Sequence, residues 1–121
     1  MRKVIHILTT LTGIILLLTG LANVAGLPLP DSLQLNPVHT LIHILLGTIS
    51  IFILWMKNWL YTLTALILGL FFLVFSIAGL FAPNGVIHPD LTVNTANNLT
   101  HPLYAAIFLA AAYLNSKRHI V

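Results

Sequence analysis

Asn36-Pro-Val-His39-Thr-Leu-Ile-His43-Ile-Leu-Leu-Gly47 opens a long apolar segment, and an altered copy, Asn94-Thr-Ala-Asn97-Asn98-Leu-Thr-His101-Pro-Leu-Tyr-Ala105, opens another. In each copy an Asn precedes a His by seven residues. That spacing is nearly two helical turns, so both side chains share one face of a helix. His39 and Thr40 join the face in the first copy, and Asn97 and Asn98 join it in the second. Two polar faces at matching positions in otherwise apolar helices decide which sides of those helices turn inward.

The rest of the chain says what surrounds them. Of 121 residues, 59% are hydrophobic and only 6% charged, with a mean hydropathy of +1.03. A water-soluble globule needs more polar surface than this, so the lipid bilayer is the expected environment and one domain the expected organisation. Asp31 and Asp90 are the only acids, and Glu and Cys are absent. Disulfide exchange, thiolate metal sites, iron-sulfur clusters and carboxylate-bridged di-iron centres therefore lack ligands. Hydrolytic and acyl-transfer catalysis lack a nucleophile paired with a base, so redox work would need a bound cofactor. The formal charge of +3 comes from Arg2-Lys3, Lys57 and Lys117-Arg118. Such scattered charges set membrane topology and make no nucleic-acid patch.

Segment one runs from about Val4 to Ala25 without a charge. At roughly 1.5 Å per residue it matches a hydrocarbon layer of about 30 Å, and it is long for the apolar core of a secretory signal. Two prolines and a glycine make Gly26 to Leu35 a connector. Segment two starts at Asn36, a good N-cap, with Pro37 in the first turn, and ends near Met56. Trp55-Met-Lys57-Asn-Trp59-Leu-Tyr61 is an aromatic, basic corner suited to a membrane interface. Segment three covers about Trp59 to Phe81, a turn-rich connector runs from Ala82 to Val93, and segment four covers about Asn94 to Leu114.

Lys and Arg fall at the N-terminus, the second connector and the C-terminus, while both Asp fall in the first and third connectors. The expected fold is therefore an all-α membrane protein of four transmembrane helices with both termini cytoplasmic, placed in the inner membrane of a prokaryote. Segments one and three share Thr-Leu-Thr and a later Ala-Gly, just as two and four share Asn and His. Two repeated hairpins, about 4–56 and 59–114, follow from this, related by an axis along the membrane normal. In a ring of four helices, segments two and four lie diagonally opposite, and their polar stripes meet at the outer, non-cytoplasmic end.

Small and polar residues such as Thr9, Thr12, Gly13, Gly69, Ser76, Ala105 and Ala112 are accounted for by close helix contact. Histidines inside spans are costlier and mark candidate sites. His43 and His101 can ligate a haem b iron from two sides, or join His39 in a three-imidazole site for a divalent metal. Asn36, Asn94, Asn97 and Asn98 are candidate cofactor contacts on the same faces, with helix capping as the alternative for the asparagines. His6, His88 and His119 fall near ends and connectors and are read as interface residues. Pro102 frees the carbonyl of Asn98, making either a plain kink or an oxygen facing the polar axis. The rival to a ligand site is a structural accessory of a larger membrane complex or homo-oligomer, its His and Asn serving helix contacts. A channel is the weaker rival, since four spans leave little lumen.

At these motifs the chain resembles a bacterial four-span membrane family known only as domain of unknown function 4383. Asn36, His39, His43 and Gly47 fit the pattern that opens its second segment, and Asn94, Thr95, Ala96, Asn98 and His101 fit the pattern that opens its fourth. Asn97 stands where the family has Asp, Thr100 where it has Leu, and Ala105 where Gly is common, and Pro102 follows the last His. The resemblance implies the four-span fold and the motif positions. It implies no activity.

Overall fold

The protein is described by a computed structural model over residues 2–117. Arg118 and His119, read above as part of the C-terminal tail, lie outside the described residues. Four helices carry the chain: α1 (Arg2–Val24), α2 (Pro37–Phe52), α3 (Asn58–Phe81) and α4 (Thr95–Ser116). Between α3 and α4 a short antiparallel hairpin pairs β1 (Val86–His88) with β2 (Leu91–Thr92) around Pro89-Asp90. Turn signals predict a connector over this stretch, and the structure adds a hairpin within it.

Each helix boundary has a local cause. Asn36 accepts a hydrogen bond from the backbone N–H of His39, and Asn94 accepts one from that of Asn97, both at 2.9 Å. These are equivalent N-caps, each satisfying a donor that the first helical turn leaves orphaned. At the other end of α1, the N–H of Leu27 reaches the carbonyl of Ala22 and that of Gly26 reaches Asn23. Gly26 sits at φ +65° to make this closure, a conformation that any residue with a Cβ resists. α2 stops at Phe52, short of the expected Met56, because its last turn tightens into a 3-10 turn over Ile53–Trp55 before the chain reverses.

Packing runs opposite to that of a water-soluble bundle. On α2 the buried residues are His39, Thr40, His43, Gly47 and Ser50, while Leu41, Leu45 and Phe52 are exposed. On α1 the buried stripe includes Thr9, Thr12, Gly13 and Gly20, with Leu18 and Leu21 outside. Along the α1–α2 contact, small and hydroxyl-bearing residues turn inward and many large apolar ones turn outward, an arrangement that suits lipid. The inward hydroxyls bond back to their own helices, Thr9 to Ile5, Ser50 to Leu46 and Ser76 to Phe72.

α1 packs along α2 and α3 along α4, and α1 also touches α4. The first pair is drawn together by glycine. A Cβ on Gly47 would stand 2.5 Å from the backbone nitrogen of Leu17 and 2.8 Å from the carbonyl oxygen of Gly13. The second pair is clamped at both ends. Asn115 donates to the Asn58 carbonyl (2.9 Å) and the Thr62 hydroxyl (2.8 Å), and at the far end Asn98 donates to the Gly79 carbonyl. Between the pairs, Leu16, Ala65, Phe72, Ala105 and Phe108 form the apolar centre, with the rings of Phe72 and Phe108 stacked at 5.9 Å.

Among the described residues, three helical stretches are long and apolar enough to cross a membrane: Lys3–Val24, Pro37–Trp55 and Asn58–Phe81. α4 equals them in length and differs in its polar opening, where Asn97, Asn98, Thr100 and His101 follow one another closely. The described chain is thus a helical protein with membrane-compatible faces.

Candidate metal centre

Three helices bring the site together at one end of the bundle. α2 presents His39 and His43 one turn apart on a single face, and α4 presents His101. All three side chains are buried, with exposures of 1%, 6% and 1%. Their rings make a closed triangle: His39 to His43 at 4.7 Å, His39 to His101 at 5.6 Å, and His43 to His101 at 6.2 Å between centroids. One ring nitrogen from each lies within 4.8 Å of the others. α3 closes the side with Phe75, whose ring is 5.1 Å from that of His101 and 5.6 Å from that of His39, and with Phe72 at 5.7 Å from His101.

Hydrogen bonding separates the three. Nδ1 of His39 lies 3.0 Å from the carbonyl oxygen of Thr92. A carbonyl only accepts, so Nδ1 carries the proton and Nε2 keeps its lone pair. Metal-binding histidines are oriented in this way by a carbonyl or carboxylate behind them. Nε2 of His39, both ring nitrogens of His43 and Nδ1 of His101 are buried without a hydrogen-bond partner. Buried polar atoms are nearly always paired, so four orphan nitrogens gathered at one point need an explanation. A neutral imidazole that served only helix contact would use at least one of its nitrogens. His43 uses neither.

No family model, curated protein or solved structure matches this chain.

The asparagines divide by role. Asn36 and Asn94 are caps, and their amide N–H groups tie across the molecule: Asn36 donates to the Thr92 hydroxyl at 3.1 Å, and Asn94 donates to the Ser32 carbonyl at 3.0 Å. Each helix start thus fastens the connector that belongs to the other hairpin. Asn98 fits the notch left by Gly79, where a Cβ would collide with its amide oxygen. Asn97 is buried one turn ahead of His101 on the same face. Asn36→Ala and Asn94→Ala are each expected to lower stability by about 1 kcal/mol through the lost cap. The check is a drop in the thermal unfolding midpoint in mild detergent, with helix content retained.

Among the described residues, His88 and His6 stay apart from the centre. His88 is exposed in the hairpin turn, 3.8 Å from the Asp90 carboxylate. His6 packs its ring 5.3 Å from that of Tyr61, near the first turns of α1 and α3. Pro102 lies within a continuous α4, with the helix carrying on to Ser116.

Sequence reasoning missed Thr92 and Phe75. Thr92 had a signal: Val86-Ile-His and Leu91-Thr-Val flank Pro-Asp with the β-branched pattern of a hairpin. Phe75 had none, because an aromatic on an apolar helix is indistinguishable from ordinary core or lipid-facing residues until its rotation is known.

Proposed function

We propose that this chain is a four-span integral membrane protein that holds a transition-metal ion through His39, His43 and His101. His43 carries the proposal, being buried with both ring nitrogens unpartnered beside two other imidazoles. Three bound imidazoles at metal-nitrogen distances of about 2.0–2.1 Å hold their nitrogens about 3.3 Å apart. The ligand nitrogens lie within 4.8 Å of one another, so binding draws them together by up to about 1.5 Å. In this role His39 is oriented by Thr92, and the aromatic wall of Phe72 and Phe75 keeps water and competing ligands from the ion.

α4 is the fourth span in this reading. It is clamped to α3 by Asn115 at one end and Asn98 at the other, so the two helices cover the same thickness. In the same proposal both termini lie in the cytoplasm of a prokaryotic cell and the metal centre on the outer side of the inner membrane, a topology that the placement of Lys and Arg supports. Membership of the family of domain of unknown function 4383, and descent from a duplicated hairpin, belong to the same proposal. The matched caps at Asn36 and Asn94 and their crossed ties support the duplication.

Two rival readings meet specific obstacles. A haem between His43 and His101 requires a macrocycle in the space where His39 touches both rings and Phe75 touches His101. A purely structural accessory subunit makes the histidines helix-contact residues, and His43 makes no such hydrogen bond. Protein purified gently in detergent is expected to carry one metal ion per chain by elemental analysis, and His43→Ala or His101→Ala to carry none. A metal-free protein that takes up no added ion, with variants behaving identically, overturns the proposal.

A further inference from the structure

We infer, resting on the metal-centre reading above, that the three-imidazole cluster selects a soft monovalent ion, Cu(I), over divalent ions. The argument is one of charge. Neutral imidazoles supply every ligand nitrogen, the Thr92 carbonyl is engaged by His39, and the buried Asn97 one turn ahead of His101 offers a neutral amide. The chain has two carboxylates in all, Asp31 and Asp90. Both are exposed in connectors, Asp31 beside the Gln34 amide and Asp90 beside His88. A bound cation therefore keeps its full charge among buried rings and apolar helices.

The cost of burying a charge rises with its square, so a dication is penalised about fourfold more than a monocation in the same place. Zinc in protein sites completes a tetrahedron, and where proteins supply three ligands a water or substrate takes the fourth place. Here Phe72 and Phe75 pack their rings against His101, and Phe75 also against His39, so the surroundings are poor in partners for a hydrated ligand. Sodium and potassium are hard ions that prefer several oxygens, and the three clustered side chains offer only nitrogen. A closed-shell monocation of low coordination number is the ion whose charge and ligand demand both match three neutral nitrogens.

The test is a parallel titration of the purified full chain under anaerobic, reducing conditions, with Cu(I) buffered by a competing chelator, and Zn(II) and Co(II) in separate runs. The expected result is one Cu(I) per chain, lost in His101→Ala, and held on the order of 100-fold more tightly than Zn(II). Asn97→Asp, which places a carboxylate one turn ahead of His101, is expected to raise affinity for Zn(II) relative to Cu(I) by about tenfold or more. If His101→Ala does not fold, His39→Asn, which copies into α2 the residue that α4 carries at the matching position, supplies the loss of binding. Zn(II) or Co(II) bound once per chain through these histidines, as tightly as Cu(I) or more so, overturns the monovalent inference and leaves the metal centre standing. A folded Asn97→Asp protein with an unchanged Zn(II) to Cu(I) ratio overturns the charge argument. Absence of histidine-dependent binding for all three ions removes the centre itself.

Discussion

His43→Leu is expected to abolish ion uptake and, at the same time, to make the metal-free protein harder to unfold by about 1–3 kcal/mol. The two effects share one cause. His43 buries two ring nitrogens, neither of which is hydrogen-bonded, and leucine of similar volume removes both polar atoms without opening a large cavity. Ligand linkage then distinguishes the proteins further. A saturating ion present at about a hundred times its dissociation constant raises wild-type stability by about 2.7 kcal/mol and leaves His43→Leu unmoved. Thermal or denaturant unfolding in detergent, with and without added ion, measures both shifts. A His43→Leu protein that is less stable in the absence of metal and equally insensitive to metal as the wild type makes His43 a packing residue, and the proposed function falls with it.

Gly47→Leu is expected to be the most damaging single change in the bundle, lowering stability by about 3 kcal/mol or more. Even a lone Cβ here meets the backbone of α1, at Leu17 and Gly13, and backbone cannot swing aside as a side chain does. α1 must therefore move away from α2, which also parts Gly13 from Ser50 and exposes the polar stripe between the helices. Gly47 lies one turn beyond His43, so ion affinity is expected to fall together with the unfolding midpoint. Gly47→Leu protein with near wild-type unfolding would mean that α1 and α2 are not held at this distance in the folded protein.

The helices and their inward faces were legible from residue pattern because lipid imposes a simple rule. A polar stripe on an apolar helix has nowhere to go but toward other helices, and the Asn36, His39, His43, Gly47 spacing marks that stripe without any partner being known. The caps were legible for the same local reason: Asn36 and Asn94 act on backbone groups three residues away. The end of α2 was less so, since a 3-10 turn over Ile53–Trp55 depends on how the chain reverses into α3.

The hairpin between α3 and α4 marks the limit of local reading. Its strands, three and two residues long, leave a hairpin pattern in the sequence, but nothing local shows that they carry the carbonyl that orients His39. The reciprocal ties of Asn36 to Thr92 and of Asn94 to Ser32 span 56 and 62 residues. No periodicity encodes such contacts.

By itself, then, the sequence determined that helices form, where two of them are capped, which polar faces turn inward, and which histidines stand on those faces, because each of these follows from spacing along one chain segment. Tertiary structure alone decided that α2 and α4 approach closely enough for His39, His43 and His101 to share one point, that Phe75 seals it, and that Thr92 sets the tautomer of His39. Those facts depend on helix order, rotation and depth, which are set by how glycine notches and side-chain clamps on separate helices meet, and that meeting is a property of the packed bundle.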